Sequence, residues 1–161
     1  SVLLNHYDIK VPMQSHHKWN EHKTCESMAE KIQSGLTVAL ISDAGTPGIS
    51  DPGFMLVREC VRRGIEVECL PGPTAFVPAL VQSGLPNEKF CFEGFLSVNK
   101  KSRQEHVSSL LGETRTMIFY EAPHKLRRTL SDLLEYFGDR KIAIVKELTK
   151  IYESVDRTTL S

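Results

Sequence analysis

The chain has 161 residues and a mass of 18.1 kDa, room for one ordinary domain or two small ones. A composition of 40% hydrophobic and 25% charged residues excludes a disordered chain, and 20 Lys and Arg against 20 Asp and Glu exclude a uniformly basic, histone-like hold on nucleic acid. No apolar run reaches the roughly 18–20 residues that a bilayer span needs, and no signal-peptide pattern opens the chain.

The elements follow in order. Ser1 to His6 is an apolar, helix-like start without an initiator Met. Glu21 to Ser34 predicts a helix, because Cys25, Met28, Ala29 and Ile32 share one face and Gly35 supplies the stop. Thr37 to Ser42 is a short apolar run suited to a strand buried on both faces of a parallel sheet. A Gly/Pro/Asp loop covers Asp43 to Gly53. A helix follows over Phe54 to Arg63, then a strand over Ile65 to Leu70, a Pro71-Gly72-Pro73 turn and a helix over Thr74 to Ser83.

The second half repeats the alternation. Phe90 to Leu96 reads as an aromatic strand, Lys101 to Leu111 as a polar helix and Thr116 to Tyr120 as a strand. Pro123 to Phe137 reads as a helix with Leu126, Leu130, Leu133, Leu134 and Phe137 on one face. Lys141 to Val145 is a last strand, with the chain ending soon after it. This order predicts an α/β fold with mostly parallel pairing in the first half. Gly84 to Asn87 is the best boundary, giving an N-terminal α/β lobe over 1–86 and a C-terminal one over 87–161.

Charge and cysteine usage add to this. Residues 1–87 carry 7 Lys and Arg against 9 Asp and Glu, and residues 88–161 carry 13 against 11. The bases of the second half gather at Lys100, Lys101 and Arg103 and at Lys125, Arg127 and Arg128, either as solvated helix faces or as a local phosphate-binding surface. Cys25, Cys60, Cys69 and Cys91 form no C-x-x-C pair and stand at no zinc spacing from a His. They read as buried, reduced thiols of a cytoplasmic protein, and no metal site is expected. His16 and His17 precede a helix and are expected to be exposed.

Four stretches leave the carboxyl ends of predicted strands, the place where open α/β sheets bind ligands. The first is Asp43-Ala44-Gly45-Thr46-Pro47-Gly48-Ile49-Ser50-Asp51-Pro52-Gly53. Its glycines admit close backbone approach and its prolines stiffen it. It lacks the Lys of a Walker loop and the spacing of a dinucleotide fingerprint, so it suits a cationic or neutral ligand better than a polyphosphate. Alternatively it is a tight connector with Asp51 capping the next helix. The second, Leu70 to Ala75, is either part of a pocket or a proline-initiated helix. The third, Phe119 to Lys125, brings together Glu121, His124 and Lys125, and the fourth, Lys146 to Lys150, places Glu147 beside Lys146. Both also fit structural salt bridges. Together the four could converge on one cleft between the lobes.

In that order and spacing, LISDAGTPGISDPG, PGPTAFVPAL, FYEAPHKL and KELTKIYE resemble the small-subunit (16S) rRNA cytidine-2′-O-methyltransferases of the tetrapyrrole (corrin/porphyrin) methylase superfamily. The similarity covers nearly the whole chain, and FCFEGFLSVNKKSR is similar to the family's entry into its second lobe. The resemblance implies two small α/β lobes with S-adenosylmethionine in the cleft between them, S-adenosylhomocysteine as product, and a homodimer. It assigns cofactor binding to Asp43, Ala44, Gly45, Thr46, Pro47, Gly48, Ile49 and Ser50, to Thr74 and Ala75, to Tyr120 and Glu121, and to Leu148 and Thr149. Help with the 2′-hydroxyl proton would come from among Asp43, Glu121, His124, Lys146 and Glu147, with His124, Glu121 and Lys146 as the catalytic candidates. Lys100, Lys101, Arg103, Lys125, Arg127 and Arg128 would face 16S rRNA within the small ribosomal subunit. The chain departs from the family at both ends. The opening P-x-P-I-G-N-L-x-D-I-T strand and turn are absent and the end is short, so the chain reads as a fragment. A tetrapyrrole-type methylase, or an inactive cofactor-binding or dimerising fragment, are the competing readings.

Overall fold

The computed structural model describes residues 2–161. The chain divides into two compact units, one running to Gly72 and the other from Pro73 to the end.

The first unit is helical. A short helix α1 spans Val2–His6, α2 spans Glu21–Gln33 and α3 spans Phe54–Arg62. The periodic face read from the sequence is the one that packs: Cys25, Met28 and Ala29 of α2 meet Leu56 and Cys60 of α3, with Ile32, Val38, Met55 and Ile65 around them. Arg63 Nη1 also reaches Gln33 Oε1 at 3.2 Å. Burial pushes the Cys60 thiol pKa up, so this cysteine packs as a small apolar group.

The two strands expected in this unit do not form. Residues 37–42 and 65–70 form no strand and pair with no ladder. An apolar run supplies propensity only, and a strand also needs a ladder partner. Val38 and Ile65 dock on the helix layer, whereas Ile41, Val67 and Leu70 remain exposed. Two further expectations are corrected. Cys69 is exposed, because its run has no sheet to enter. The His16 side chain is only 8% exposed, since the segment before α2 folds back over that helix.

The second unit carries the sheet structure. Helix α4 (Phe76–Ser83) is followed by β1 (Phe90–Phe95), α5 (Lys100–Ser109) and β2 (Thr116–Tyr120). A 3-10 turn at Pro123–Lys125 leads into α6 (Leu126–Phe137), β3 (Lys141–Lys146) and β4 (Ser154–Thr159). The fold is mixed α/β. β1 pairs with β2 in parallel and β3 with β4 antiparallel, as two separate two-stranded sheets among the described residues. β4 is an element beyond the expected ones. Its sequence, Ser-Val-Asp-Arg-Thr-Thr, is polar, and the strand exists because Lys141 to Lys146 pair with it residue for residue.

The local signals explain most boundaries. Gly84 ends α4 at φ 71° in the left-handed region. Asn99 caps α5, its side chain accepting from the Ser102 N–H at 3.1 Å. The expected helix from Pro123 begins as a 3-10 turn before becoming α-helical. The core is Leu96, Val107 and Leu133, with Phe119, Tyr136, Phe137 and Leu160 against it. Phe92 joins the rings of Phe76 and Tyr120, with centroids 4.9 and 5.1 Å away. A bulge in β1 between Phe92 and Gly94 makes Glu93 the extra residue. Its carboxylate lies 2.8 Å from His106 Nε2 on α5.

Candidate functional site

The motif-bearing loop of the first unit is held from behind. Ser42 Oγ donates to the carbonyls of Ala44 (3.3 Å) and Gly45 (3.0 Å). Gly45, Gly48 and Ser50 adopt positive φ, which folds 43–50 into successive tight bends. Asp43, Ala44, Gly45, Ile49 and Ser50 are exposed, and Thr46, Pro47 and Gly48 are half-buried. The loop enters α3 through Gly53, whose φ of 142° is open to glycine alone.

Asp51 does not cap that helix. The cap comes from Glu21 at the start of α2: its Oε1 accepts from both the Gly53 and Met55 N–H groups, each at 2.9 Å. A helix N-terminus of this kind is ordinarily available to an anion, and here a buried carboxylate already fills it. Burial pushes the Glu21 carboxyl pKa up, but the Met55 and Gly53 amides, with His16 and His22 beside it, outweigh burial and hold it below its ordinary value. His16 Nδ1 pairs with Thr24 Oγ1 at 3.3 Å, and its Nε2 stands 3.7 Å from Glu21 Oε1. Nothing in the local sequence marks this contact between α2 and a loop more than thirty residues away.

In the second unit a cavity of about 770 Å³ is walled by α4, by every residue of β2 and β3, by the apolar face of α6 and by Leu148. β2 and β3 each pair on one side only. Five of the residues singled out in the sequence line this one cavity: Ala75, Tyr120, Glu121, Lys146 and Leu148. Thr74 and Thr149 are their chain neighbours, while His124 is exposed on the 3-10 turn and does not line the cavity. Leu148 sits between two non-glycine residues in the left-handed region, Glu147 at φ 53° and Thr149 at φ 64°. That strained corner is tied by Glu153, whose Oε2 accepts the Thr149 N–H at 2.5 Å.

Glu121 is not a free carboxylate. Its Oε1 accepts the Ala122 N–H at 2.8 Å and its Oε2 accepts the Thr129 hydroxyl at 2.5 Å. Arg103 belongs to the same cluster and not to the surface: its side chain is 9% exposed and its Nε donates to Asp132 Oδ2 at 2.5 Å. The expectation that Arg103 faces solvent with its neighbours is corrected, because it shares a buried helix face with Val107. Lys100, Lys101, Lys125, Arg127 and Arg128 are exposed. Lys101 pairs only loosely with Glu105, at 3.9 Å.

A second polar cluster lies on β1. Cys91 Sγ donates to Glu113 Oε2 at 3.2 Å, and Arg115 grips both oxygens of Glu113. The Arg115 guanidinium holds the Glu113 carboxyl far below the carboxylate range, while burial and then the hydrogen bond to Glu113 push the Cys91 thiol up. Among the described residues no group of three or more His, Cys, Asp or Glu is arranged to hold a metal ion. No helix among them is long and apolar enough to cross a membrane.

A family model described as Tetrapyrrole (Corrin/Porphyrin) Methylases matches residues 2–161. The chain is similar to proteins named ribosomal RNA small subunit methyltransferase I. That of Synechocystis sp. is 48% identical over 159 residues, which cover 98% of this chain and 57% of the relative. That of Haemophilus influenzae is 44% identical over 160 residues, covering 99% and 56%. That of Thermotoga maritima is 45% identical over 160 residues, covering 99% and 72%. The chain thus spans a little over half the length of the first two relatives and nearly three quarters of the third.

Proposed function

The chain belongs to the tetrapyrrole (corrin/porphyrin) methylases, and from that premise we propose that it is the greater part of an S-adenosylmethionine-dependent methyltransferase acting on the ribose 2′-hydroxyl of a cytidine in small-subunit (16S) ribosomal RNA. The observation that carries this reading is the shared name of its relatives, whose similarity extends over almost the whole chain. When bound, S-adenosylmethionine would supply an electrophilic methyl group on a sulfonium sulfur, with S-adenosylhomocysteine as the product.

The chain's own residues supply binding, orientation and proton transfer. The cavity of the second unit falls within the size range of about 300–1,000 Å³ typical of small-molecule sites, and its walls are apolar with a few polar groups at the strand ends. Tyr120, Glu121, Leu148 and Thr149 hold the adenine end in this reading, and Thr74 and Ala75 line the pocket. In the first unit the loop from Asp43 to Ser50 holds the methionine and ribose part. Its exposed Asp43 carboxylate suits a cationic ligand, and the filled N-terminus of α3 leaves no seat there for a phosphate.

A ribose hydroxyl is a weak nucleophile at neutral pH, so an acceptor for its proton speeds attack. Glu121 is already engaged by two donors, and in this reading His124, exposed on the 3-10 turn, takes that proton on an imidazole nitrogen. Lys146, exposed at the end of β3 and on the cavity wall, orients the incoming hydroxyl or its neighbouring phosphate. Lys100, Lys101, Lys125, Arg127 and Arg128 are the RNA-facing charges. A homodimer in the cytoplasm completes the proposal.

The test is methyl transfer by the full-length protein from labelled S-adenosylmethionine, offered assembled small ribosomal subunits and, separately, a porphyrinoid. Label in the ribosomal RNA supports the reading; label only in the porphyrinoid overturns it.

A further inference from the structure

Helix α5 reads as solvated from its sequence, yet one of its cations is buried. Arg103 stands four residues before Val107, and both face the core. A buried guanidinium requires partners, and Arg103 has three. Its Nε donates to Asp132 Oδ2 at 2.5 Å, its Nη2 donates to Thr129 Oγ1 at 2.8 Å, and its Nη1 lies 4.0 Å from Glu121 Oε2. Thr129 and Asp132 are three residues apart on α6, so one helix face offers both acceptors.

The hydrogen bonds have a fixed direction. A guanidinium donates and cannot accept. Thr129 Oγ1 therefore accepts from Arg103, and its own proton goes to Glu121 Oε2 at 2.5 Å. Glu121 Oε1 in turn accepts the Ala122 N–H at 2.8 Å. The bonds run from Arg103 through Thr129 and Glu121 to the backbone just past β2, where the strand gives way to the 3-10 turn. Tyr120, Glu121 and Thr129 all line the cavity.

We propose that Arg103 is a positioning residue of the cofactor site: acting through Thr129, it fixes the Glu121 carboxylate and the Tyr120–Ala122 corner at the cavity wall, and it makes no contact with RNA. The proposal deepens the methyltransferase reading and rests on the cofactor role given there to Tyr120 and Glu121. Lys cannot substitute for Arg103, because one ammonium lacks the planar fork that serves Asp132 and Thr129 together. The cluster also holds two carboxylates to one cation, so loss of Arg103 leaves both carboxylates uncompensated and draws water into the corner.

The experiment uses the full-length protein with Thr129→Val, Thr129→Ser, Arg103→Lys and Arg103→Met. S-adenosylhomocysteine affinity is read by calorimetry at low temperature, and methyl transfer to small subunits gives kcat and separate KM values for cofactor and RNA. Thr129→Val and Arg103→Lys are expected to weaken S-adenosylhomocysteine binding about tenfold, as a small misplacement of a binding group does. Thr129→Ser restores most of that affinity, and KM for RNA and its salt dependence stay at the wild-type values. An RNA-facing Arg103 would leave Thr129→Val silent, and Arg103→Met would lower the salt slope of RNA binding by about 0.7–0.9; that result overturns the proposal. A lower melting temperature with unchanged affinity in every folded variant overturns it too. Should Arg103→Met fail to fold, the Thr129 pair carries the test by itself. If the wild type binds S-adenosylhomocysteine but methylates no RNA, the substrate reading falls while the affinities still judge Arg103. If it does not bind S-adenosylhomocysteine at all, both fall.

Discussion

Replacing Glu21 by Ala removes the cap of a helix that lies more than thirty residues away in sequence. One carboxylate oxygen accepts two backbone N–H groups at 2.9 Å, and one of these belongs to a buried residue, Gly53. A hydrogen bond to a charged group contributes about 1.5–3 kcal/mol and a lost N-cap costs about 0.5–2 kcal/mol. The two bonds share one oxygen, and water reaches Met55 more easily than Gly53. The expected loss for Glu21→Ala is therefore about 2–3 kcal/mol. Urea unfolding of the chain at neutral pH measures it, and amide hydrogen exchange at Gly53 and Met55 locates it. A loss of about 2 kcal/mol corresponds to exchange about thirtyfold faster at those two amides. The sign with pH follows from the carboxyl being held below its ordinary 4.5. Its stabilisation is fully present above that value and is lost as pH falls through the lowered one, so the gap between wild type and Glu21→Ala closes in acid. A change under about 0.5 kcal/mol, with exchange at both amides unaltered, would refute the capping argument.

Three further outcomes follow from the same geometry. Arg62 and Arg63 hold the Glu59 carboxyl down to about 2, so Glu59→Gln should remove a stabilisation that the wild type loses between pH 4.5 and about 2; parallel acid titrations of unfolding that superimpose would contradict this. Gly53→Ala should destabilise by about 1–2 kcal/mol, because φ 142° is strained for any residue with a Cβ, and an unchanged urea midpoint would show that the loop relaxes freely. Lys101→Met and Arg128→Met should each flatten the salt dependence of RNA binding by about 0.7–0.9 in slope while leaving S-adenosylhomocysteine affinity alone; a fall in cofactor affinity instead would move those residues out of the RNA surface.

The helices were legible because their signals are local. Cys25, Met28 and Ala29 recur on one face, and Gly35, Gly64, Gly84 and Gly138 stand where the helices stop. Strands were less legible because pairing is not a local property. The apolar residues 37–42 form no strand, whereas the polar Ser154–Thr159 does, since a neighbour offers it a ladder. At the candidate site, the sequence singled out Ala75, Tyr120, Glu121, Lys146 and Leu148 as residues at strand ends, and the fold gathers them on one cavity. It did not reveal which charges would be buried. Arg103 stands two residues from Lys101 in one basic run, and only the helical offset to Val107 separates the inward cation from the outward one. Glu21 at the head of α2 reads as an ordinary first-turn acid, and its role appears only once Gly53 and Met55 are brought to it.

The chemical identity of the product decides between ribose methylation and every other reading. The full-length protein is incubated with small ribosomal subunits and S-adenosylmethionine carrying a deuterated methyl, and the RNA is then digested to nucleosides and analysed by mass spectrometry. The expected product carries the deuterated methyl on the ribose of a cytidine and resists alkaline cleavage at that position. A labelled base, or ribosomal RNA without label beside active enzyme, would contradict it.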